Sequence, residues 1–222
     1  MKKIVKEQPP TWFETWKQNF KQTHGRTAHY KNDFSSDDSQ GTARRQQLRG
    51  HLIKEQGHIC CYCMKRISLQ NSHIEHFRPK TRFPQNDLDY QNLLASCNRD
   101  GMVSLDGHCG HKKEDWWEDN LVSPTESKIE EMFQYSLDGN IHSIQKKPFT
   151  NIAQEMIGHM GLDSYHLIRN RRAAIESSEV FDENEYSNED IRNFIDFYSN
   201  KDGEAYVPYC MAIVACLKEQ LG

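Results

Sequence analysis

Apolar positions along the chain fall into short runs whose spacing changes from helical to irregular and back. In residues 11–20, Trp12, Phe13, Trp16 and Phe20 recur at helical spacing and predict a short amphipathic helix that docks on something. Residues 23–41 are polar and rich in Ser and Asp, the composition of a loop or linker. Residues 42–56 place Leu48, Leu52 and Ile53 on one helical face, and Gly57 is a stop signal. From 58 to 117 the periodicity disappears and Cys, His, Asn and basic residues crowd in. Small modules in which metal replaces part of the core have this look. Within that region 73–77 and 92–96 predict strands and 111–118 a helix, in the order strand, loop, strand, helix. Residues 129–135 and 141–144 flank Asp138-Gly139-Asn140 and predict a β-hairpin. Helical spacing then returns in 151–160 and 164–175, separated by Gly161, in 189–198 with Asn188 as cap, and in 205–221. Residues 176–190 are acidic with no basic residue and predict an exposed loop leading into a helix. No internal repeat is visible. The fold class expected is α+β.

Composition narrows the class. A chain of 222 residues suits one domain, or one domain with a smaller one appended. Hydrophobics at 36% and aromatics at 10% exclude wholesale disorder. The net charge of −4 gives no global basic footprint, although a local basic cleft remains open. No apolar run approaches the roughly 20 residues that span a bilayer. The opening MKKIVKEQPPTW has no apolar stretch after its lysines, so it does not read as a signal peptide. The expectation is a cytoplasmic protein with no membrane association.

The seven cysteines are odd in number, and five lie from Cys60 to Cys109 beside histidines. In a reducing compartment this predicts metal binding rather than disulfides. Structural zinc takes four N or S ligands, two of them from a tight Cys-x-x-Cys turn. Cys60 and Cys63 have that separation, which leaves Cys61 to pack inward. Cys97 and Cys109 form the second pair, across a turn-rich insertion containing Asn98-Arg-Asp-Gly101. His108 could replace Cys109, but Cys109 is the better soft ligand. Four unrelated buried thiols is the bland alternative, and two pairs flanking a His-Glu-His cluster weigh against it. Cys210 and Cys216 stand in an apolar stretch and read as core thiols.

Glu75, His76, Asn92 and His111 remain. A carboxylate and an imidazole can hold one harder divalent ion with positions open for phosphate and water, and a neutral imidazole can take a proton from water. Strand alternation puts His73 beside Glu75 and opposite His76, so a bend at 77–79 is needed for Glu75 and His76 to converge. His73 reads as a hydrogen-bonded strand histidine in preference to a ligand. Trp116 and Trp117 read as core or interface residues in preference to base-stacking ones.

Cys60-x-x-Cys63, Glu75-His76-x-x-Pro79, Asn92-Leu93-Leu94 with Cys97, and Cys109-x-His111-Lys112-Lys113 resemble the zinc-stapled HNH (ββα-metal) endonucleases. Among these the chain resembles the PtuB-like nucleases of Septu-type and retron-associated anti-phage defence, most specifically over 58–113. Weaker echoes extend the likeness to most of 44–175. The resemblance implies an HNH core stapled by a four-cysteine Zn²⁺ site within 42–148, preceded by a helix and linker in 1–41 and followed by a helical region in 149–222. It implies His76 as general base, Glu75 and His111 as ligands of a catalytic Mg²⁺ or Mn²⁺, and Asn92 as the brace of the intervening loop. Arg78, Lys80, Arg82, Lys112 and Lys113 would neutralise backbone phosphates. The implied partners are nucleic acid, with DNA favoured over RNA, and an ABC/SMC-like (PtuA-like) ATPase. In retron systems a reverse transcriptase with its RNA–DNA product would join them. An RNA-cleaving toxin on the same fold, and a noncatalytic zinc-binding adaptor, are the competing functions.

Overall fold

The computed structural model describes residues 1–97, 107–145, 148–178, 180–181 and 186–221. Residues 98–106 of the insertion expected at 98–108, and residues 179 and 182–185 of the acidic stretch, lie outside them. The described residues contain seven α-helices, four shorter 3-10 or π turns and two small antiparallel sheets, an α+β arrangement. Among them no helix is long and apolar enough to cross a membrane.

Helix α1 (Thr11–His24) ends at Gly25, whose φ of 66° is the left-handed conformation that glycine tolerates. Helix α2 (Ser39–Glu55) begins earlier than the composition suggested, because Asp38 caps it by accepting from the Gly41 N–H at 2.6 Å. The Ser/Asp run is thus partly a cap. The rest of 23–41 is also tied down: Phe34 is fully buried, edge-on to Phe13 at 5.3 Å and to Trp16 at 5.1 Å.

Strands β1 (Ser72–His76) and β2 (Leu93–Cys97) pair antiparallel, with Glu75 opposite Leu94 and His76 opposite Leu93. The far edge of β2 is satisfied from α2 and the cysteine turn. Buried Gln56 accepts from the Ala95 N–H at 2.7 Å and donates to the Ala95 carbonyl at 2.9 Å, a carbonyl that Cys61 N–H also reaches. Helix α3 (Gly110–Lys113) is one turn long, not the helix expected over 111–118. Glu114 takes φ +46° and breaks the helix. Trp117 can then bury against Phe77 and Phe83, while Trp116 stacks on His159 at 4.4 Å.

The hairpin β3 (Phe133–Tyr135) and β4 (Ile141–Ser143) turns at Gly139, φ 87°. A Cβ there would collide with the Ile168 carbonyl, and buried Arg171 donates Nε to the Gly139 carbonyl at 2.7 Å. Helices α4 (Thr150–His159) and α5 (Tyr165–Glu176) follow. Helix α6 (Asn188–Ser199) is capped by Ser187 in a reciprocal box with Asp190, not by Asn188. Helix α7 (Cys210–Gln220) starts later than 205, because Pro208 disfavours helical geometry at Val207 and Tyr209 adopts φ 59°. Cys210 and Cys216 are buried on α7.

The segment before α1 is fastened by charge as well as by apolar contact. Glu55 has no exposed side-chain surface; its carboxylate accepts from Lys6 Nζ at 2.6 Å, Glu7 N–H at 2.6 Å and Tyr90 Oη at 2.8 Å. Burial pulls the Lys6 ammonium below the usual lysine range, with Glu55 opposing. Removing one partner of such a pair strands the other. Glu55→Ala is expected to cost about 3 kcal/mol, read as a lower urea midpoint with an unchanged slope.

Candidate metal and catalytic site

Cys60 and Cys63 sit on a tight turn closed by the Ile59–Arg66 bridge, with Met64 at φ 64°. Cys97 is the last residue of β2, and Cys109 precedes α3 at φ 59°. All four are buried and their sulfurs lie within 4.8 Å of one another. Sulfurs about 2.3 Å from a tetrahedral zinc would be about 3.8 Å apart, and Cys63 and Cys97 are separated by 3.6 Å. Burial pushes the Cys60 thiol up, but hydrogen bonds from Cys109, Cys61, Cys63 and Cys97 outweigh it and carry the thiol well below its ordinary range. Four buried sulfurs at this spacing, deprotonated on binding, are the donor set of a soft or borderline divalent ion such as zinc. Cys61 is buried but outside the four-sulfur group. His108 Nδ1 lies 3.2 Å from Cys109 Sγ and 3.5 Å from Cys97 Sγ, at the rim of the cluster.

On the other side of α3 opens a cleft of about 480 Å³, lined among others by His73, Glu75, His76, His111, Tyr30 and Lys80. Glu75 is held by one oxygen: Oε1 accepts from Tyr62 Oη at 2.9 Å and pairs with Lys113 Nζ at 3.2 Å. Its Oε2 lies 3.4 Å from His73 Nε2. Burial favours the neutral acid, yet Lys113, His73 and Tyr62 together outweigh it and hold the carboxyl at about 2. An ionised, half-anchored carboxylate with an imidazole neighbour is a donor set that fits a hard divalent ion. Gly110 leaves it room, since a Cβ there would collide with the Glu75 carboxylate and with His73 Nε2.

His76 is on the opposite side of β1 from Glu75 by alternation, and the chain bends at Phe77 and Arg78 directly afterwards. Both side chains reach the same cleft. His76 Nε2 lies 2.9 Å from the Asp87 carbonyl, and its ring is edge-on to Tyr30 at 4.5 Å. A carbonyl only accepts, so Nε2 carries the proton. Burial and the Lys80 charge lower the imidazole to about 4 and keep it neutral, so Nδ1 is the basic nitrogen. His111 follows Gly110 on α3, its ring 4.9 Å from that of His73.

Asn92 lies behind the cleft. Its amide donates to the Arg78 carbonyl at 3.1 Å and the Asn86 carbonyl at 3.0 Å, and its oxygen accepts from the Arg78 N–H at 2.7 Å. The bonded loop is the one that presents the Asp87 carbonyl to His76. The basic residues divide. Lys80 is exposed and lines the cleft, and Lys112 is exposed on α3. Arg78 and Arg82 flank Trp117, Arg78 5.6 Å from its ring and Arg82 Nη1 donating to its carbonyl at 3.2 Å. Lys113 departs from the expected phosphate-contacting set. Its side chain has no exposed surface and is committed to Glu75 and to the His76 carbonyl at 3.3 Å. Sequence inspection passed over Tyr62, Gly110 and Arg45. Tyr62 and Gly110 each neighbour a cysteine ligand, which is the signal that could have found them. Arg45 lines the cleft from α2, far off in the chain.

These features define an α+β protein with a four-cysteine cluster that could hold a metal ion, beside a carboxylate–imidazole cleft. No family model matches the chain. Among curated proteins it is 31% identical over 151 residues to "Retron Vc95 putative HNH endonuclease" of Vibrio cholerae serotype O1 biovar El Tor, covering 65% of this chain and 70% of that protein. It is 30% identical over 95 residues to Septu protein PtuB of Bacillus thuringiensis, covering 40% of this chain and 34% of that one. The chain belongs to the HNH endonuclease family of the retron protein and is a nuclease of that class. A noncatalytic adaptor is thereby set aside.

Purified protein is expected to carry about one zinc per chain by elemental analysis. Cys63→Ser should lose that zinc and unfold at a markedly lower temperature, whereas Cys61→Ser should keep it. Equal zinc content in both variants would exclude the four-cysteine assignment.

Proposed function

We propose that the chain is a metal-dependent phosphodiesterase that hydrolyses nucleic acid, DNA in the first place, as the effector of an anti-phage defence complex. The observation that carries this reading is the convergence, in one cleft, of Glu75 anchored by Tyr62 and Lys113 and of His76 fixed through Nε2 on the Asp87 carbonyl. The order β1, loop, β2, α3, with the cysteine cluster at its back, is consistent with a ββα-metal core.

In this mechanism His76 Nδ1 takes the proton of the attacking water, while Nε2–H on the Asp87 carbonyl holds the ring in place. Asn92 braces the loop that carries that carbonyl. A divalent Mg²⁺ or Mn²⁺, held by Glu75 and His111, would stabilise charge on the phosphate and on the departing oxygen. Lys113 and Tyr62 keep Glu75 ionised and aimed. Lys80 and Lys112 contact backbone phosphates beside the cut, with Arg78 and Arg82 farther along. The names of the relatives support a defence setting. In it the chain works with an ABC/SMC-like ATPase and, in a retron arrangement, with a reverse transcriptase and its RNA–DNA product.

The test is cleavage of duplex DNA, single-stranded DNA and tRNA by the chain with and without the ATPase. His76→Ala is expected to lower cleavage by roughly 10²- to 10⁴-fold with zinc content and melting temperature unchanged. Undiminished cleavage by this variant overturns the assignment, and cleavage of RNA alone overturns the DNA preference. Lys80→Glu should weaken binding evenly across sequences and reduce the slope of log affinity against log salt by about one.

A further inference from the structure

We propose that His73 is a third protein ligand, through Nε2, of the divalent ion held by Glu75 and His111, and that it tilts the site toward Mn²⁺ over Mg²⁺. This rests on the nuclease reading of the cleft. Strand alternation puts His73 and Glu75 on one face of β1, the face turned toward α3. Adjacent ligands of an octahedral ion at about 2.1 Å lie about 3.0 Å from each other. His73 Nε2 and Glu75 Oε2 are 3.4 Å apart, so a small closure gives them the bite of one ion. At that length the contact is also long for a charge-assisted hydrogen bond, which would be about 2.7–2.9 Å.

The surroundings direct the same two atoms toward an ion. Glu75 Oε1 is taken by Tyr62 and Lys113, which leaves Oε2 as the oxygen to present. Gly110 is the residue whose side chain would collide with both Oε2 and His73 Nε2. The His111 ring lies 4.9 Å from the His73 ring at an interplanar angle of 63°. That is an edge-on contact and not a stack. The ligand atoms of His73, Glu75 and His111 are not all within 4.8 Å of one another, so the His111 ring has to turn inward for both imidazoles to reach one ion. Two imidazoles and one carboxylate suit a first-row transition ion better than Mg²⁺, which prefers oxygen. Open positions remain for water and phosphate oxygen.

The experiment titrates the zinc-loaded full chain with Mn²⁺ and reads free and bound ion by electron paramagnetic resonance, with Mg²⁺ as competitor. Wild type should show one Mn²⁺ site with two coupled imidazole nitrogens in spin-echo spectra. His73→Ala should weaken Mn²⁺ binding at least about 10-fold and leave one coupled nitrogen. His73→Asp should restore binding, keep the single nitrogen, and narrow the preference for Mn²⁺ over Mg²⁺. If the alanine variant does not fold, the aspartate variant decides by the same nitrogen count and preference. Wild-type affinity and an unchanged nitrogen signal in either folded variant overturn the His73 assignment and leave the nuclease reading standing. That reading fails separately, if His76→Ala cleaves as well as wild type.

Discussion

The four-sulfur cluster is the constraint on which the rest of this molecule depends. It joins three places that the chain reaches separately: the turn at Cys60–Cys63, the end of β2 at Cys97, and the start of α3 at Cys109. Closing it lays the single turn of α3 across β1. Gly110 N–H then meets Ser96 Oγ at 3.2 Å, and Lys113 reaches Glu75. A helix of one turn has almost no stability of its own, so the position of His111 is inherited from the cysteines. The cluster takes no part in the proposed chemistry, yet it sets the geometry of the cleft.

Burial and charge oppose each other in that cleft, and the balance differs for each residue. Burial disfavours the charge on Glu75, but the buried lysine, the neighbouring His73 imidazole and the Tyr62 hydroxyl outweigh it and keep the carboxyl ionised. His76 is equally enclosed and stays neutral, because burial and Lys80 both disfavour its charged form. A carboxylate kept charged and an imidazole kept uncharged, on adjacent residues of one strand, give the division of labour that water activation at a phosphate requires. Adjacent residues can differ so much because a strand turns them to opposite sides.

Much of this was legible in the sequence for a physical reason: soft-ligand spacing and strand alternation are local properties. Cys60-x-x-Cys63 identifies its own turn, and Asn92 before an apolar run identifies a strand entry. What was not legible depends on packing between distant segments. Lys112 and Lys113 look alike as a pair, but the rotation between successive helical positions sends one into solvent and the other onto Glu75. Residues 23–41 look like a linker because nothing local announces that Phe34 will fill the space between Phe13 and Trp16. The helix expected over 111–118 stops early because burying Trp117 against Phe77 and Phe83 outweighs helical propensity.

Gly110 has a consequence of a different kind. It contributes no charge, no donor and no apolar surface to the cleft, only the absence of a side chain where Glu75 and His73 come closest. Elsewhere on a helix, glycine to alanine is the mildest of changes and even a welcome one. At this position the same single-methyl step would intrude on the two atoms the chain has otherwise aligned. An alanine at 110 would be accommodated only by moving those two side-chain ends away from the place where they now meet. The spacing of the two side chains is thus set by an empty volume as well as by the groups that hold them.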